Sequence, residues 1–370
     1  MTVAPVAVRV KFGSLRRWQD ALDTLWKRFH TGRQHSARRK VGLVAVTIKD
    51  VARAAGVSAS TACRALGSGE LVRPETRERV RQAAAELGYQ PNRAARGLST
   101  GRTGNIGLIV PDLANPFFPG VVKGMQARAR EADYAVFVAD TDEDPTVEYS
   151  LVRALSKQVD GIVVCSPRMD EDELRDAATE TPLVLLNRRV GRIPSVTVDN
   201  VDGMRQAVAH LVALGHRRIG YVEGPRTSWA NRERLRGMRS VTAAHGIELV
   251  ELGSFLPQFE GGVAAADQVL ASGVTAVVAY NDLIALGLLS RFTARGVDVP
   301  GRISIIGCDD IVASSMVHPP LTTVSLPKEM TGRAGVDLLL QLMDNRAGSS
   351  RRELPAHLLV RGSTGPAASR

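Results

Sequence analysis

After Gly104 the chain alternates short apolar segments with longer amphipathic ones. The apolar segments, which we predict to be β-strands, are Ile106–Val110, Ala135–Ala139, Gly161–Val164, Leu183–Leu186, Val196–Val198, Ile219–Val222, Ala276–Ala279 and Ile303–Gly307. Helical periodicity occurs between them, near residues 117–132, 146–158, 171–179, 202–214, 232–245, 261–271, 283–295 and 329–343. This alternation predicts parallel sheets with helices on both faces. Residues 105–364 are too many for one such sheet, so we expect two similar, doubly wound lobes.

Basic residues are concentrated in the first quarter of the chain. Residues 1–104 hold 20 Lys and Arg against 7 Asp and Glu, whereas the rest of the chain holds 28 against 31. This asymmetry is typical of a polyanion-binding module attached to a nearly neutral body. Residues 1–46 carry part of the excess, and we interpret them as a basic N-terminal extension, either disordered or included by a wrong start site.

Two short helices joined by a glycine turn are predicted from Thr47 onward. Thr47 can cap the first helix. The apolar face of that helix consists of Ile48, Val51, Ala52 and Ala55. Gly56 suits the left-handed position after this helix, and Ser58 suits the N-cap of a second helix that runs to about Leu66. The pattern matches a helix-turn-helix, whose second helix enters the major groove of DNA. An ordinary helical hairpin has the same local pattern, so both interpretations stay open at this point.

A third helix and a short polar segment follow. Pro74 suits its first turn and Gly88 its end. The apolar face of the third helix consists of Val80, Ala83, Ala84 and Leu87. Residues 47–91 are therefore predicted to form a three-helix domain, which favours a helix-turn-helix DNA-binding domain over an ordinary helical hairpin. Residues 92–104 are predicted to form a hinge helix and linker, and so short a helix is expected to become ordered only on DNA.

The sequence from Thr47 onward closely resembles the lactose-repressor (LacI/GalR) family of transcriptional regulators. The resemblance is carried by Thr47-Ile48-Lys49-Asp50-Val51-Ala52, Ala55-Gly56-Val57-Ser58, Arg64-Ala65-Leu66 and Pro91-Asn92-Arg93, and it extends over about residues 46–365. It implies that Ala59, Ser60 and Arg64 read base edges, where arginine can bind guanine through two hydrogen bonds. It also implies that Leu98 wedges into the minor groove at the operator centre. The full set of DNA-binding positions is then Thr47, Ser58, Ala59, Ser60, Thr61, Arg64, Asn92, Arg93 and Leu98.

Two positions depart from the family pattern. Cys63 stands where the family usually has serine within Thr-Val-Ser-Arg-Ala-Leu, and Gly67 stands where asparagine is frequent. Both changes affect the expected phosphate contacts, and neither affects the expected mode of docking.

Polar and aromatic residues follow several of the predicted strands. Asn115-Pro116-Phe117-Phe118 follows the first strand, Asn281-Asp282 follows strand 276–279, and Asp309-Asp310 follows strand 303–307. Parallel sheets bind ligands beyond the carboxyl ends of their strands. Amide, carboxylate and aromatic groups gathered there suit a polyhydroxylated ligand. Taken singly, each of these residues could instead cap a helix or belong to the core.

The body is also similar to the ribose-type periplasmic sugar-binding proteins, whose fold the LacI/GalR family shares. This resemblance is carried by Asn115-Pro116-Phe117-Phe118, Gly224-Pro225 and Arg232-Glu233-Arg234-Leu235-Arg236-Gly237. It implies that Arg234 rather than Arg232 grips the effector, and that Phe255 closes the pocket from the second lobe. The effector-binding residues implied are Asn115, Phe117, Phe118, Arg234, Phe255, Asn281 and Asp309.

The resemblance implies a discontinuous domain organisation. Residues 105–364 are expected to form the effector-binding and dimerisation domain, with a crossover between lobes at Pro319-Pro320-Leu321-Thr322-Thr323-Val324. Lobe 1 is expected at about residues 105–190 and 322–346, and lobe 2 at about 191–321 and 347–364. The predicted fold class is a small all-α helix-turn-helix head plus an α/β, periplasmic-binding-protein-like body of two doubly wound lobes.

Enzymatic and membrane functions are not supported by the sequence. It contains no GxxxxGK[ST] phosphate loop, no HExxH metal motif and no GxSxG nucleophile elbow, so we predict no catalysis, no cofactor and no metal. No apolar run is long enough to span a bilayer, and the basic N-terminal segment lacks the apolar stretch of a secretory signal. Three widely separated cysteines predict a reducing compartment, and we expect the cytoplasm.

The sequence therefore predicts a homodimeric transcriptional regulator, with repression the favoured mode. It is expected to bind a pseudo-palindromic DNA operator and a small-molecule effector, with a sugar the favoured class. The same architecture with a nucleobase or protein co-effector stays open. A sugar-binding module without a regulatory role is less favoured, because it would be expected to have a cleavable signal peptide and no basic head, and the sequence shows the opposite.

Overall fold

The structure is a computed structural model that describes residues 46–66, 72–89, 102–345 and 350–368. The chain divides into two units, one within residues 1–91 and the other within residues 92–370, and each is described by itself below. The proposed N-terminal extension, apart from Val46, lies outside the described residues.

The first unit contains the three predicted helices, α1 (Ile48–Ala54), α2 (Ala59–Leu66) and α3 (Pro74–Glu86). Gly56 and Gly88 both have φ +63°, the left-handed conformation expected after a helix. Arg79 from α3 donates to the carbonyl oxygen of Ala55 at 2.9 Å and so satisfies the end of α1. The buried core consists of Val51, Ala52, Ala55, Ala62, Ala65, Val80, Ala83 and Ala84. Leu87, expected on the apolar face of α3, is instead 39% exposed, because it follows the last helical residue.

The second unit contains two six-stranded sheets. The strands in chain order are β1 (Asn105–Val110), β2 (Ala135–Asp140), β3 (Gly161–Cys165), β4 (Leu183–Leu186), β5 (Ser195–Val198), β6 (Arg218–Glu223), β7 (Glu248–Ser254), β8 (Ala276–Ala279), β9 (Ser304–Asp309), β10 (Thr322–Ser325), β11 (Arg351–Leu354) and β12 (His357–Leu359). The first sheet has the order β11-β5-β4-β3-β1-β2, and the second has the order β12-β10-β9-β8-β6-β7. Every neighbouring pair is parallel except β10 and β12. The prediction of two doubly wound lobes agrees with this topology.

Helices cover both sheets. They are α4 (Phe117–Glu131), α5 (Pro145–Leu155), α6 (Glu171–Glu180), α7 (Asn200–Ala213), α8 (Trp229–Ala244), α9 (Phe259–Ala271), α10 (Asp282–Ala294), α11 (Ala313–Met316) and α12 (Lys328–Met343). The first lobe consists of the first sheet with α4, α5, α6 and α12, and the second lobe consists of the second sheet with α7 to α11. The central strands are fully buried, as sheets covered on both faces require.

Three short strands lie in a different lobe from the one expected. β5 and β11 pair with each other in the first sheet, joining Arg351 to Ser195 and Leu354 to Val198, although both were expected in lobe 2. β10 pairs with β9 in the second sheet, although residues 322–346 were expected in lobe 1. The chain therefore crosses between the lobes after β5, after β10 and after β11. The expected boundaries failed because the partners of these strands are distant in sequence.

No helix within the described parts of the chain combines the length and the apolar character needed to cross a bilayer.

A C-terminal segment, residues 361–368, is bonded to the second lobe through two histidines. The Nε2 of His216 donates to the carbonyl oxygen of Gly365 at 3.1 Å, and its Nδ1 lies 2.8 Å from the hydroxyl of Thr275. The Nε2 of His210 lies 2.9 Å from the hydroxyl of Thr364. Burial lowers the pKa of both histidines, so folding favours their neutral forms.

Acidification is expected to weaken this attachment. Below the ordinary histidine pKa of about 6.5, His216 binds a proton more readily in the unfolded chain than in the folded protein. The free energy of unfolding therefore falls as the pH falls. Replacement of His216 by glutamine keeps a donor for Gly365 but removes the titrating group. The free energy of unfolding of the variant should therefore fall less steeply with acidification, by up to about 1.4 kcal/mol per pH unit. Denaturant unfolding of both proteins from pH 7.5 to 5 measures the difference. Parallel pH profiles for wild type and H216Q would contradict the prediction.

Candidate effector cleft and DNA-binding helix

The second helix of the head begins at the predicted N-cap. The hydroxyl of Ser58 accepts the backbone N–H of Thr61 at 3.2 Å, which satisfies one of the free donors in the first turn. The same hydroxyl lies 3.0 Å from that of Ser60 and 2.8 Å from that of Thr61. The N-terminal turn of α2 thus carries a hydroxyl cluster.

One face of α2 is exposed and carries the residues predicted to read bases. Ala62 and Ala65 are buried in the head core, whereas Ala59, Ser60, Cys63 and Arg64 are exposed. Ser60 and Arg64 are four residues apart and so share that face. Thr47 is exposed at the start of α1, where both its N–H and its hydroxyl donate to the Asp50 carboxylate at 3.0 and 2.7 Å. Asn92, Arg93 and Leu98 lie outside the described residues.

A cavity lies in the second unit, at the carboxyl ends of strands from both lobes. Five residues that line it were predicted from the sequence, namely Asn115, Phe117, Phe118, Arg234 and Asp309. Four further lining residues were not predicted, namely Ser166, Asn187, Ala230 and Tyr280. The structure thus brings predicted residues from the segment after β1 and from α4, α8 and β9 to one cleft between the lobes.

The aromatic side of the cavity comes from the start of α4. The side-chain oxygen of Asn115 accepts the backbone N–H of Phe117 at 3.0 Å and fixes the entry into the helix. The rings of Phe117 and Phe118 meet edge to face, with centroids 5.2 Å apart and planes at 87°. Both phenylalanines belong to the buried core and also line the cavity, so the core and binding interpretations of these rings are compatible.

Arg234 and Asp309 form a buried charged pair at the cleft. The two side chains approach to 3.7 Å between an Nη2 of Arg234 and an Oδ1 of Asp309. Arg234 also donates from Nε to the side-chain oxygen of Asn200 at 2.9 Å and from Nη1 to the carbonyl oxygen of Tyr280. Burial raises the pKa of Asp309 to about 7, although the positive charge of Arg234 acts in the opposite direction. Asp309 has φ +124°, a strained conformation of the kind found at functional sites.

Tyr280 is packed beside Arg234. Its hydroxyl lies 3.0 Å from that of Ser228, and the guanidinium carbon of Arg234 lies 4.8 Å from its ring centroid. The ring packs directly on Gly224, where an added Cβ would lie 2.4 Å from the ring carbon Cγ. Glycine is therefore needed at residue 224 for Tyr280 to occupy this place.

Two predicted effector residues do not line the cavity. Asn281 caps α10: its side-chain oxygen accepts the N–H of Ile284 at 2.9 Å, and its amide donates to the carbonyl oxygen of Pro257 at 2.7 Å. Phe255 is half-buried and packs on the core of the second lobe. Their predicted roles in effector binding stay predictions.

The lining residues that were missed follow the same rule that found the others. Ser166 comes directly after β3, Asn187 after β4 and Tyr280 after β8. Ser166 and Asn187 also have positive φ, +50° and +54°, and the Asn187 amide donates to the Ser166 hydroxyl at 3.2 Å. Reading the first residue after every strand would have found all three.

The cleft combines aromatic rings, amides, hydroxyls and a buried guanidinium–carboxylate pair. Such a surface can bind a small ligand that carries several hydroxyl groups. Within the described residues, no group of three His, Cys, Asp or Glu side chains is arranged to hold a metal ion.

Two family models match the chain. Residues 47–92 match the lacI family of bacterial regulatory proteins, and residues 208–364 match a periplasmic binding protein-like domain. The first match covers the helix-turn-helix unit, and the second covers most of the second lobe together with α12.

Individual relatives match over most of the chain. The HTH-type transcriptional repressor CytR of Escherichia coli K12 is 34% identical over 331 residues, which cover 86% of this chain and 96% of the relative. The HTH-type transcriptional regulator CelR of Thermobifida fusca is 36% identical over 336 residues, covering 86% and 98%. A Lac repressor dimer bound to operator and the anti-inducer ONPF superimposes with a TM-score of 0.77 at 32% identity, covering 86% of this chain and 99% of that one.

These matches confirm the predicted family and the predicted fold class. The relatives match both the head, which carries the exposed α2, and the body, which carries the cleft. The chain therefore belongs to the lacI family of bacterial regulatory proteins, and it is a DNA-binding transcriptional regulator controlled by a small-molecule effector.

Proposed function

We propose that this protein is a repressor that binds a pseudo-palindromic operator as a homodimer and releases or tightens it when a sugar enters the cleft. The observation that carries the proposal is the cleft itself, where Phe117, Arg234 and Asp309 from both lobes face one cavity. The exposed face of α2, with Ser60 and Arg64, supplies the base-reading surface.

The relatives support a sugar as the effector. One solved relative, at 32% identity and a TM-score of 0.65, is a CelR–cellobiose complex. Another, at 27% identity and a TM-score of 0.64, is a lacI family regulator from Enterococcus faecium with bound ribose. The polar and aromatic lining of the present cleft suits the same chemical class, since rings can pack on the apolar face of a sugar while polar groups bond its hydroxyls.

Lobe closure is the proposed link between effector and DNA. The amide of Gln258 in the second lobe donates to the Asp112 carboxylate of the first at 3.3 Å. Lys328 of α12 donates to the carbonyl oxygens of Asp309 and Asp310 at 2.5 and 2.8 Å. These bonds join the lobes at the cleft, so a ligand that alters the cleft biases the arrangement of the whole body. By linkage, an effector that weakens operator binding is itself bound more weakly by the protein–DNA complex.

The proposal assigns binding without catalysis to the cleft, and it assigns the protein to the cytoplasm. The matched relatives support both points, because those named above are described as transcriptional regulators. The proposed domains are the helix-turn-helix of residues 47–91, the hinge of residues 92–104 and the effector-binding body that follows.

A mobility-shift assay on DNA adjacent to the coding gene tests the proposal. The full chain should retard a fragment that carries a pseudo-palindrome. At least one of a set of sugars should change the affinity of the protein for that fragment in a concentration-dependent way. Equal binding to all DNA fragments, with no response to any sugar, would contradict the proposal. A response to nucleosides alone would move the effector to the nucleobase class.

The hinge leucine offers a separate test, which rests on the resemblance of residues 91–98 to the family. Replacement of Leu98 by alanine should weaken operator binding about tenfold or more, because the minor-groove wedge that opens a base step is lost. Effector binding, measured by calorimetry, should be unchanged. Normal affinity and normal DNA bending in circular-permutation gels would show that Leu98 is only part of a tether.

A further inference from the structure

Two arginines from opposite lobes stand beside the cavity. Arg188 belongs to the first lobe and directly follows Asn187, which lines the cavity. Arg232 belongs to the first turn of α8 in the second lobe, between the lining residues Ala230 and Arg234. Both positions are therefore at the edge of the cleft.

A contact across the cleft shows that these two segments face each other. The guanidinium carbon of Arg189 lies 6.0 Å from the ring centroid of Trp229. Trp229 and Arg232 are three residues apart on α8 and so share one face of the helix. Arg232 therefore lies on the face of α8 that meets the segment carrying Arg188. In agreement, the pKa of Arg188 is lowered first by burial and next by the positive charge of Arg232.

The other arginines at the cleft are already paired with carboxylates. Arg168 is paired with Glu143, Arg189 with Glu353, and Arg234 with Asp309. Among the described residues, no carboxylate oxygen lies within 4.0 Å of a guanidinium nitrogen of Arg188 or Arg232. The cleft thus carries two positive charges without ion-pair partners, one from each lobe.

The two acidic groups that raise the pKa of Arg188, Glu171 and Glu148, have other partners. Glu148 accepts the backbone N–H groups of Arg168 and Met169 at 2.7 Å each, and burial raises its pKa to about 7. Glu171 is exposed and pairs with Arg175 at 2.5 Å. Neither carboxylate therefore neutralises Arg188 directly.

Arg188 is also fixed in place with hydrogen-bonding capacity to spare. It is only 5% exposed, and its Nη1 donates to the carbonyl oxygens of Pro167 and Met169 at 3.0 and 2.6 Å. Its Nε is buried without a hydrogen-bond partner. A buried cation with an unused donor is costly, and a guanidinium fork matches the oxygens of a carboxylate or phosphate.

We propose that Arg188 and Arg232 form an anion site between the lobes, which receives a carboxylate or phosphate group of the effector. The inference rests on the proposed effector-binding function of the cleft and narrows the ligand to an acidic sugar, either a sugar acid or a sugar phosphate. An anion between the two guanidiniums replaces their repulsion with attraction to both lobes. Such a ligand therefore favours the closed cleft through its charge as well as its hydroxyls.

The repulsion is testable without any ligand. Replacement of Arg232 by glutamine should raise the Tm by about 1–2 °C at low ionic strength, and added salt should diminish the gain. Because Arg232 is exposed, the variant is expected to fold. Arg236→Gln is the matched control, since Arg236 lies one turn further along α8 and pairs with Glu233. Equal effects of the two substitutions would overturn the inference.

Inorganic phosphate and acetate probe the site itself, independently of sugar stereochemistry. At constant ionic strength, at least one of these anions should raise the Tm of wild type and R236Q by a few degrees and leave R188Q and R232Q nearly unchanged. A preference for phosphate indicates a sugar phosphate, and a preference for acetate indicates a sugar acid. Equal shifts in all four proteins, or no shift in wild type, would overturn the anion site. R188K keeps the positive charge at this buried position. If R188Q does not fold, R188K replaces it in the comparison, and its anion-induced rise in Tm should be smaller than that of wild type because lysine lacks the guanidinium fork.

Operator binding separates this inference from the proposed function. Glucose, glucuronate and glucose 6-phosphate are added to the protein–operator complex of wild type and R232Q. If a neutral sugar acts on both proteins alike, the effector function stands and the anion site is wrong. If phosphate binding needs both arginines but no sugar acts on the operator complex, the anion site stands and the proposed sugar control fails.

Discussion

Replacement of Arg234 by glutamine should abolish the effector response while operator binding persists. Loss of the guanidinium removes charge-assisted hydrogen bonds to a ligand and should weaken effector binding about 10- to 100-fold. It also leaves Asp309 buried without its cation, which costs about 3 kcal/mol of unfolding free energy at pH 8. The cost should be smaller at pH 6, because the Asp309 carboxyl, whose pKa is about 7 beside Arg234 and higher without it, is then largely protonated in both proteins.

Calorimetric titration with the effector, mobility shifts and denaturant unfolding at both pH values measure these effects. Arg236→Gln is the matched control on the same helix, because it removes the same charge from a side chain that is 66% exposed. Retained operator binding shows that R234Q has folded. An effector response equal to that of wild type would place the ligand elsewhere, and equal destabilisation at pH 6 and pH 8 would contradict the charged-pair argument.

Replacement of Arg64 by alanine should cost about 1–3 kcal/mol of binding free energy on the true operator and relax specificity at one position in each half-site. The reason is the position of Arg64 on the exposed face of α2, where its fork can reach guanine O6 and N7. Affinity for unrelated DNA should change much less. Competition binding with operators substituted at each base pair measures both quantities.

Arg81→Ala is the matched control for this experiment. Arg81 is an exposed arginine on α3, so the variant loses the same charge from the same unit without altering α2. The control should leave sequence preference intact. Equal weakening by R64A on operator and random DNA would identify Arg64 as a phosphate contact, and its effect would then appear mainly in the salt dependence.

The sequence alone was sufficient for the helices of the head and for most of the strands and helices of the body. Ser58 caps α2 and Gly56 has the left-handed φ that ends α1, because these preferences depend on a few neighbouring atoms. Strands such as β4 and β8 were found at their observed bounds, since a strand buried on both faces must be apolar throughout. β7, an edge strand with exposed polar residues, lacks that pattern and was missed.

Tertiary structure alone decided which lobe each late strand joins. β5 pairs with β11, whose residues lie more than a hundred positions later in the chain, and no local pattern specifies such a partner. The same holds for the cleft: Arg234 was recognisable from its motif, but its bonds to Asn200, Tyr280 and Asp309 depend on three separate segments. Propensity acts over a few residues, whereas a binding site is assembled by the packing of whole lobes. The helix-turn-helix could therefore be predicted almost completely from the sequence, and the cleft only in part.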